Sequence, residues 1–280
     1  MSGVLFLMKA KQPIIFLIIT FIWSWLFWSI GLNYLAEGLN AETIGKFLPM
    51  FFIGVYGPSV SAIITTLLTE GINGVWLLLK KFFQFKAPLK VYLTIILLPI
   101  LCVGIGLTIY HQWFGDIGSF DLNAYKSIPA VLWAGFYAGP LGEELGWRGF
   151  LLPKLQESYS AVKSAFIIAL IWFLWHVPLF WAPFGTLVSG DQISFLPVAT
   201  YLIMITALSC IITWLVNESR GSVWIALLFH LSINAGLALL FYPSIAVQFK
   251  TIHFLSSIPM VLVAMYLIHK TKLKATESRA

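Results

Sequence analysis

Apolar residues in this chain come in long uninterrupted runs separated by short polar connections, not in alternation or in narrow helical stripes. A window of about 19 residues finds about eight such runs, over residues 13–32, 47–68, 91–110, 131–152, 164–182, 197–216, 221–241 and 253–269. Each is close to the roughly 20 residues that an α-helix needs to cross the hydrocarbon core of a bilayer. With no water there to satisfy peptide groups, the helix is the form that such runs adopt. The pattern predicts an all-α protein, a polytopic transmembrane helical bundle of about eight spans, forming a single integral membrane domain over residues 1–280. The longest polar connection, 69–90, is itself half apolar (Trp76 to Leu79, Phe82, Phe83, Phe85) and predicts an amphipathic helix lying in the interface. Gly57-Pro58, inside the second run, predicts a kink.

Composition leaves this picture intact: 60% of residues are hydrophobic, 10% are charged and the mean hydropathy is +0.91. The first run follows Lys9 and Lys11, but no small-residue cleavage site comes before Asn33 and Tyr34, so it reads as a retained anchor and not as a signal peptide. The net charge of +6 does not imply a nucleic-acid partner, because the basic residues stand at the ends of apolar runs, where topology and anionic lipid account for them. Cys102 and Cys210 both lie inside apolar runs, which excludes a disulfide framework and a thiolate cage for zinc.

The basic residues also predict an orientation. On one side of the eight runs fall Lys9, Lys11, Lys80, Lys81, Lys86, Lys90, Lys154, Lys163, Arg220, Lys270, Lys272, Lys274 and Arg279. The other side holds Lys46, Lys126 and Lys250, together with Glu37, Glu42, Asp116, Asp121 and Asp191. The excess predicts a multi-pass protein of the cytoplasmic membrane with both termini in the cytoplasm.

Against this background Gly139-Pro-Leu-Gly-Glu-Glu-Leu-Gly-Trp-Arg-Gly-Phe150 stands out, since it sets Glu143, Glu144 and Arg148 inside a run where ionisable groups are expensive. Glu144 and Arg148 are four residues apart, share a helix face and can neutralise one another. Glu143 points about 100° away and, unclaimed by the cation, is the better general base. Later runs add His176, and then His230 and Asn234 at i and i+4 on one face. Counted along the helices at 1.5 Å per residue, Glu143, His176 and His230 lie roughly 15, 18 and 14 Å from the cytoplasmic ends of their runs, which is one level. Facing imidazoles can ligate a metal or hold a water, and the Asn234 amide can donate to an oxyanion without losing a proton. His111, His253 and His269 fall at run ends or in connections, where solvated side chains are expected. Singly, each buried polar residue is explained by interhelical hydrogen bonding; their common level and spacing favour chemistry.

Glu-Glu-x-x-x-Arg at 143–148, a following run with a late histidine (His176), and His-x-x-x-Asn at 230–234 together resemble the CPBP family of intramembrane proteases, which comprises the CAAX prenyl endopeptidases and the bacterial Abi or bacteriocin-processing proteins. The similarity covers about residues 131–240, which would be the catalytic core. One position departs: the family's second motif is usually Phe-x-x-x-His, and here Trp172 stands in place of Phe. The resemblance implies a water activated by Glu143 with His176 and His230, an oxyanion stabilised by Asn234, and Glu144 paired with Arg148. The substrate would be a peptide or membrane protein met in the bilayer, cut near the cytoplasmic membrane face, with a small peptide precursor fitting better than a prenylated one. A bacteriocin-immunity or scaffold protein that binds a peptide without cleaving it remains an alternative, and a proton-coupled transporter a weaker one, because the paired broken helices of inverted repeats are not evident. No His-Glu-x-x-His motif is present. Either one zinc ion held by His176, His230 and Glu143 or a metal-free glutamate mechanism fits these residues, and the sequence leaves the oligomeric state open.

Overall fold

The computed structural model describes residues 11–117, 126–190, 193–241 and 249–275. Lys9, Asp121, Asp191 and Arg279, which contribute to the charge asymmetry, lie outside the described residues. Eleven α-helical segments follow one another: α1 (Gln12–Leu35), α2 (Ala41–Val55), α3 (Gly57–Lys80), α4 (Leu89–Phe114), α5 (Ile128–Tyr137), α6 (Pro140–Glu144), α7 (Leu152–Gln156), α8 (Ala161–Trp175), α9 (Phe195–Glu218), α10 (Val223–Phe241) and α11 (Phe249–Thr271). A π-helical stretch, Leu145–Leu151, joins α6 to α7. Among the described residues five helices, α1, α3, α4, α9 and α11, are long and apolar enough to cross a membrane, and α8 and α10 are shorter apolar helices. The protein is a helical membrane bundle, as the apolar runs predict.

Two predicted spans are interrupted. The run 47–68 divides at Tyr56 into α2 and α3, because Pro58 in the first turn of α3 has no N–H to continue the earlier ladder. The run 131–152 is not one helix: α5 stops at Tyr137, and the chain restarts at Pro140, then widens into the π-helix. Pro140 lacks the donor that would bond Phe136, and Pro153 lacks the one that would bond Gly149. The Gly149 carbonyl accepts instead from Lys81 Nζ at 2.6 Å, a partner the sequence does not point to. The predicted separate interfacial helix is the continuation of α3 beyond Gly71, whose φ of 72° turns the chain. Past that turn Ile72, Trp76 and Leu77 are exposed while Val75 and Leu78 are buried.

The interrupted segment is central. Gly142 and Gly146 lie directly on α3 and its entry turn: a β-carbon on Gly142 would meet the Val55 carbonyl oxygen at 2.8 Å, and one on Gly146 would meet Pro58 backbone at 2.5 Å. Every residue from Leu145 to Leu152 is buried. Around it α1 packs on α2 and α3, α8 on α9, α11 on α4 and α9, and α10 on α4, α5 and α6. Side-chain contacts tie the helices together at two opposite ends. At the first, Gln12 bonds Thr69 and Glu70, Lys154 pairs with Glu70, Lys90 with Glu218, and Asn217 donates to the Leu273 carbonyl. At the second, Asn40 and Thr43 form a reciprocal cap on α2, and Phe184 packs edge-on against Phe47 and Phe51.

Candidate active site

Residues from four segments converge between the two ends. Glu143 and Glu144 are the last two residues of α6, 3% and 0% exposed, and Arg148 in the π-helix is at 1%. His176 caps the C-terminus of α8, where the helix gives way to the 3₁₀ turn Val177–Trp181 at Pro178. His230 and Asn234 project from the middle of α10.

Arg148 Nη1 lies 3.2 Å from Glu144 Oε1 with both side chains buried, so the expected ion pair forms. The same oxygen is 2.7 Å from His230 Nδ1, which ties α10 to the acidic motif. The rest of the guanidinium lies against the face of Trp172, 4.4 Å from the ring centroid, a cation–π contact that gains strength away from water. Glu144 Oε2, Arg148 Nε and Arg148 Nη2 make no hydrogen bond to the described residues. Glu143 is held differently: its Oε2 accepts from Trp172 Nε1 at 2.6 Å, and among the described residues no lysine or arginine pairs with it. His176 Nδ1 is 2.8 Å from the Trp172 carbonyl oxygen. A carbonyl can only accept, so that Nδ1 carries the proton and leaves Nε2 as the free acceptor of the neutral ring. His230 turns Nδ1 to the Glu144 carboxylate, which leaves Nε2 as the ring nitrogen available to another partner.

Gly139 marks where these groups meet. A β-carbon built on it would lie 3.2 Å from Glu143 Oε1, 3.7 Å from Asn234 Nδ2 and 3.9 Å from His230 Cε1. The missing side chain leaves a space bounded by a carboxylate oxygen, an amide donor and an imidazole edge. That space belongs to a cavity of about 830 Å³ lined by all of Glu143, His176, His230 and Asn234 and walled by Phe51, Val55, Trp175, Leu179, Met204 and Ile205 among others. Arg148 and Glu144 are not in its lining; they sit behind Glu143. Of the six residues singled out in the sequence, four reach the cavity and two brace them.

Three contributors were not legible in sequence. Trp172, which in the sequence stands in place of the family's Phe, touches Glu143, Arg148, His176 and His230. Gly139 matters through the side chain it lacks, and Lys81 through a carbonyl orphaned by a distant proline. His253 corrects an expectation of solvation: it is 6% exposed and lines the cavity, because α11 begins at Phe249 and buries it within the bundle. His111 and His269 are exposed, as expected.

The fit to zinc is poor. Among the described residues no three His, Cys, Asp or Glu side chains converge as a metal site. Glu143 Oε2 is engaged by the indole. Each histidine spends Nδ1 on a protein acceptor, which keeps Nε2 for a water as it would for a metal, so the poor fit rests on the lack of a third converging group among the described residues.

Residues 125–236 match the family model described as Rce1-like, type II CAAX prenyl endopeptidase Rce1-like. Over 236 residues the chain is 26% identical to CAAX prenyl protease 2 of Methanococcus maripaludis, an alignment covering 82% of this chain and 85% of that relative. The chain is thus similar to CAAX-type proteases, over its central segment in the family model and over most of its length in that relative. These matches bear out the resemblance read from Glu-Glu-x-x-x-Arg and His-x-x-x-Asn, and the apolar helices agree with a multi-pass membrane protein.

Proposed function

We propose that this protein is a CAAX-type protease, an endopeptidase that hydrolyses a peptide bond within the membrane by general-base activation of water, using Glu143, His176, His230 and Asn234, with Glu144 and Arg148 as their support and residues 131–240 as the catalytic core. The observation that carries this reading is the space over Gly139, bordered by Glu143 Oε1, Asn234 Nδ2 and the His230 ring. A water there, hydrogen-bonded to the free Nε2 of His230 or His176, gives a proton to Glu143. The oxygen adds to the scissile carbonyl, the developing oxyanion takes a hydrogen bond from the Asn234 amide, and protonated Glu143 returns the proton to the leaving nitrogen as the C–N bond breaks. The products are a carboxylate and an amine. Trp172 Nε1 anchors the far oxygen of Glu143, so the near oxygen faces the water. Glu144 is shared by Arg148 and His230 and orients the imidazole.

No described residue set draws a metal into these steps. The sequence expectation of a cut near the cytoplasmic membrane face rests on counting residues along the runs; the lining of the cavity, which continues away from the basic end to Phe184, Gly185 and Thr186, supports approach from the other side. The substrate is a peptide or membrane-protein segment that reaches the site from the bilayer. Glu143→Gln keeps the shape and loses the base, so cleavage of membrane-anchored peptides by the reconstituted protein falls by roughly 10²- to 10⁴-fold, with and without a chelator. Wild-type turnover by Glu143→Gln removes the proposal and leaves a peptide-binding role.

A further inference from the structure

The bundle has two unlike ends, and the cavity reaches only one of them. At the first end stand Lys11, Lys80, Lys81, Lys86, Lys90, Lys154, Lys163, Arg220, Lys270, Lys272 and Lys274, interlocked by the Gln12–Glu70–Lys154 and Lys90–Glu218 contacts. From this end the catalytic groups are sealed off. The π-helix lies beneath them with all of Leu145 to Leu152 buried, and Lys81 ties it to the end of α3. Beyond the catalytic groups the cavity is bounded by the middle and second half of α2 (Leu48, Phe52), by Ala138 after α5 and, towards the second end, by Phe184, Gly185 and Thr186 of the connection after the 3₁₀ turn. Phe184 and Gly185 are exposed there, and Leu48, Phe52, Ala138 and Thr186 are half-buried, so these residues form the mouth. His253, near the start of α11, lines the same outer half. The charged residues described at this end are few: Glu37, Glu42, Lys46, Asp116, Lys126 and Lys250.

Lysine- and arginine-rich ends of membrane proteins stay in the cytoplasm. Applied to these two ends, the rule puts the sealed end inside and the open mouth outside. We infer that the protease draws its substrate from the extracytoplasmic side, and that the substrate is an uncharged, predominantly apolar peptide segment lying at that membrane surface, such as the membrane-proximal part of an exported chain.

The chemistry of the cavity agrees. Among the described residues its ionisable lining is Glu143, His176, Tyr201, His230 and His253, with no lysine or arginine. An acidic segment would meet no fixed cation, and a basic one would bring a charge among aromatic walls at the expense of its hydration. A volume of about 830 Å³ lies in the upper range for enclosed ligand sites and admits a few residues of extended peptide. This inference rests on the hydrolase reading for the identity of the occupant, but not for the side from which the site is reached.

Single cysteines test the side directly, because native Cys102 and Cys210 are buried and give little background. In intact cells a membrane-impermeant maleimide labels Thr186→Cys at the mouth, whereas Lys154→Cys at the basic end is labelled only after permeabilisation. The opposite pattern overturns the inference. A second arm offers quenched, lipid-anchored peptides to the outer surface of sealed right-side-out vesicles holding the full chain. Wild-type protein cleaves the apolar uncharged peptide there at least tenfold faster than its counterpart with two lysines beside the scissile bond, and Glu143→Gln cleaves neither. Cleavage that requires permeabilised vesicles overturns the inference, as does equal cleavage of both peptides. No cleavage on either side, with Thr186→Cys labelled from outside, refutes the hydrolase reading while the outward mouth stands.

Discussion

Among the carboxylate–cation contacts described in this bundle, that at Glu70 and that at Glu144 are alike in chemistry and unlike in setting. At the basic end Glu70 pairs with Lys154 at 3.3 Å and accepts from Gln12 at 2.9 Å, with the side chains of Lys154 and Glu70 26% and 34% exposed. In the middle Glu144 pairs with Arg148 at 3.2 Å with neither exposed. The local interactions are alike, but the surroundings differ. Water screens the first pair and can replace either partner, which limits its worth to about 0–1 kcal/mol. The second has no such substitute, and it stands behind a further carboxylate that faces a cavity. A charged pair therefore becomes part of a site by its burial and by what lies next to it.

Breaking the buried pair has the largest effect. Arg148→Ala leaves Glu144 uncompensated, at a cost of roughly 3–5 kcal/mol, and detergent melting shows a markedly lower transition together with lost activity. Arg148→Met combined with Glu144→Gln recovers stability relative to Arg148→Ala. Strictly additive losses would show that the two side chains do not depend on one another.

Asn234→Ala comes next. It removes a donor that acts on the developing oxyanion, so kcat falls by roughly 10²- to 10³-fold while KM changes little. A rise in KM at constant kcat would assign Asn234 to ground-state binding instead. Trp172→Phe sharpens the comparison further, since it keeps an aromatic ring behind Arg148, as in the family pattern, and removes only the N–H that anchors Glu143. The hydrogen bond to a carboxylate contributes about 1.5–3 kcal/mol, so stability falls by a comparable amount and the melting transition with it, and turnover of the folded protein falls by at least about tenfold. Unaltered turnover would mean that packing alone orients Glu143.

Lys154→Ala, at the exposed cluster, gives the smallest effect: a loss of at most about 1 kcal/mol and peptide cleavage within twofold of wild type. A large loss of activity would show that the basic end is coupled to the site, through the π-helix that Lys154 follows.

The apolar runs by themselves determined that this chain is a helical membrane bundle, because hydrocarbon imposes a length and a backbone geometry that any 20-residue apolar segment must obey. The i,i+4 spacing of Glu144 with Arg148 determined their pairing for an equally local reason. The acid, the histidines and the amide were legible as candidates because ionisable groups are rare in such runs. What the sequence could not show depends on neighbours far along the chain. Trp172 became a ligand of Glu143 across 29 positions, Lys81 capped a carbonyl 68 positions away, and His253 turned inward when its helix packed against α4 and α9. The break before the acids lies between the two: Pro140 marks it in the sequence because it removes a backbone donor, whereas the extent of the opening, from Tyr137 to a π-helix, follows from the packing of Gly142 and Gly146 on the α2–α3 junction. The face on which the cavity opens was decided by tertiary structure alone, because burial of the π-helix closes one end and the Phe184 connection leaves the other open.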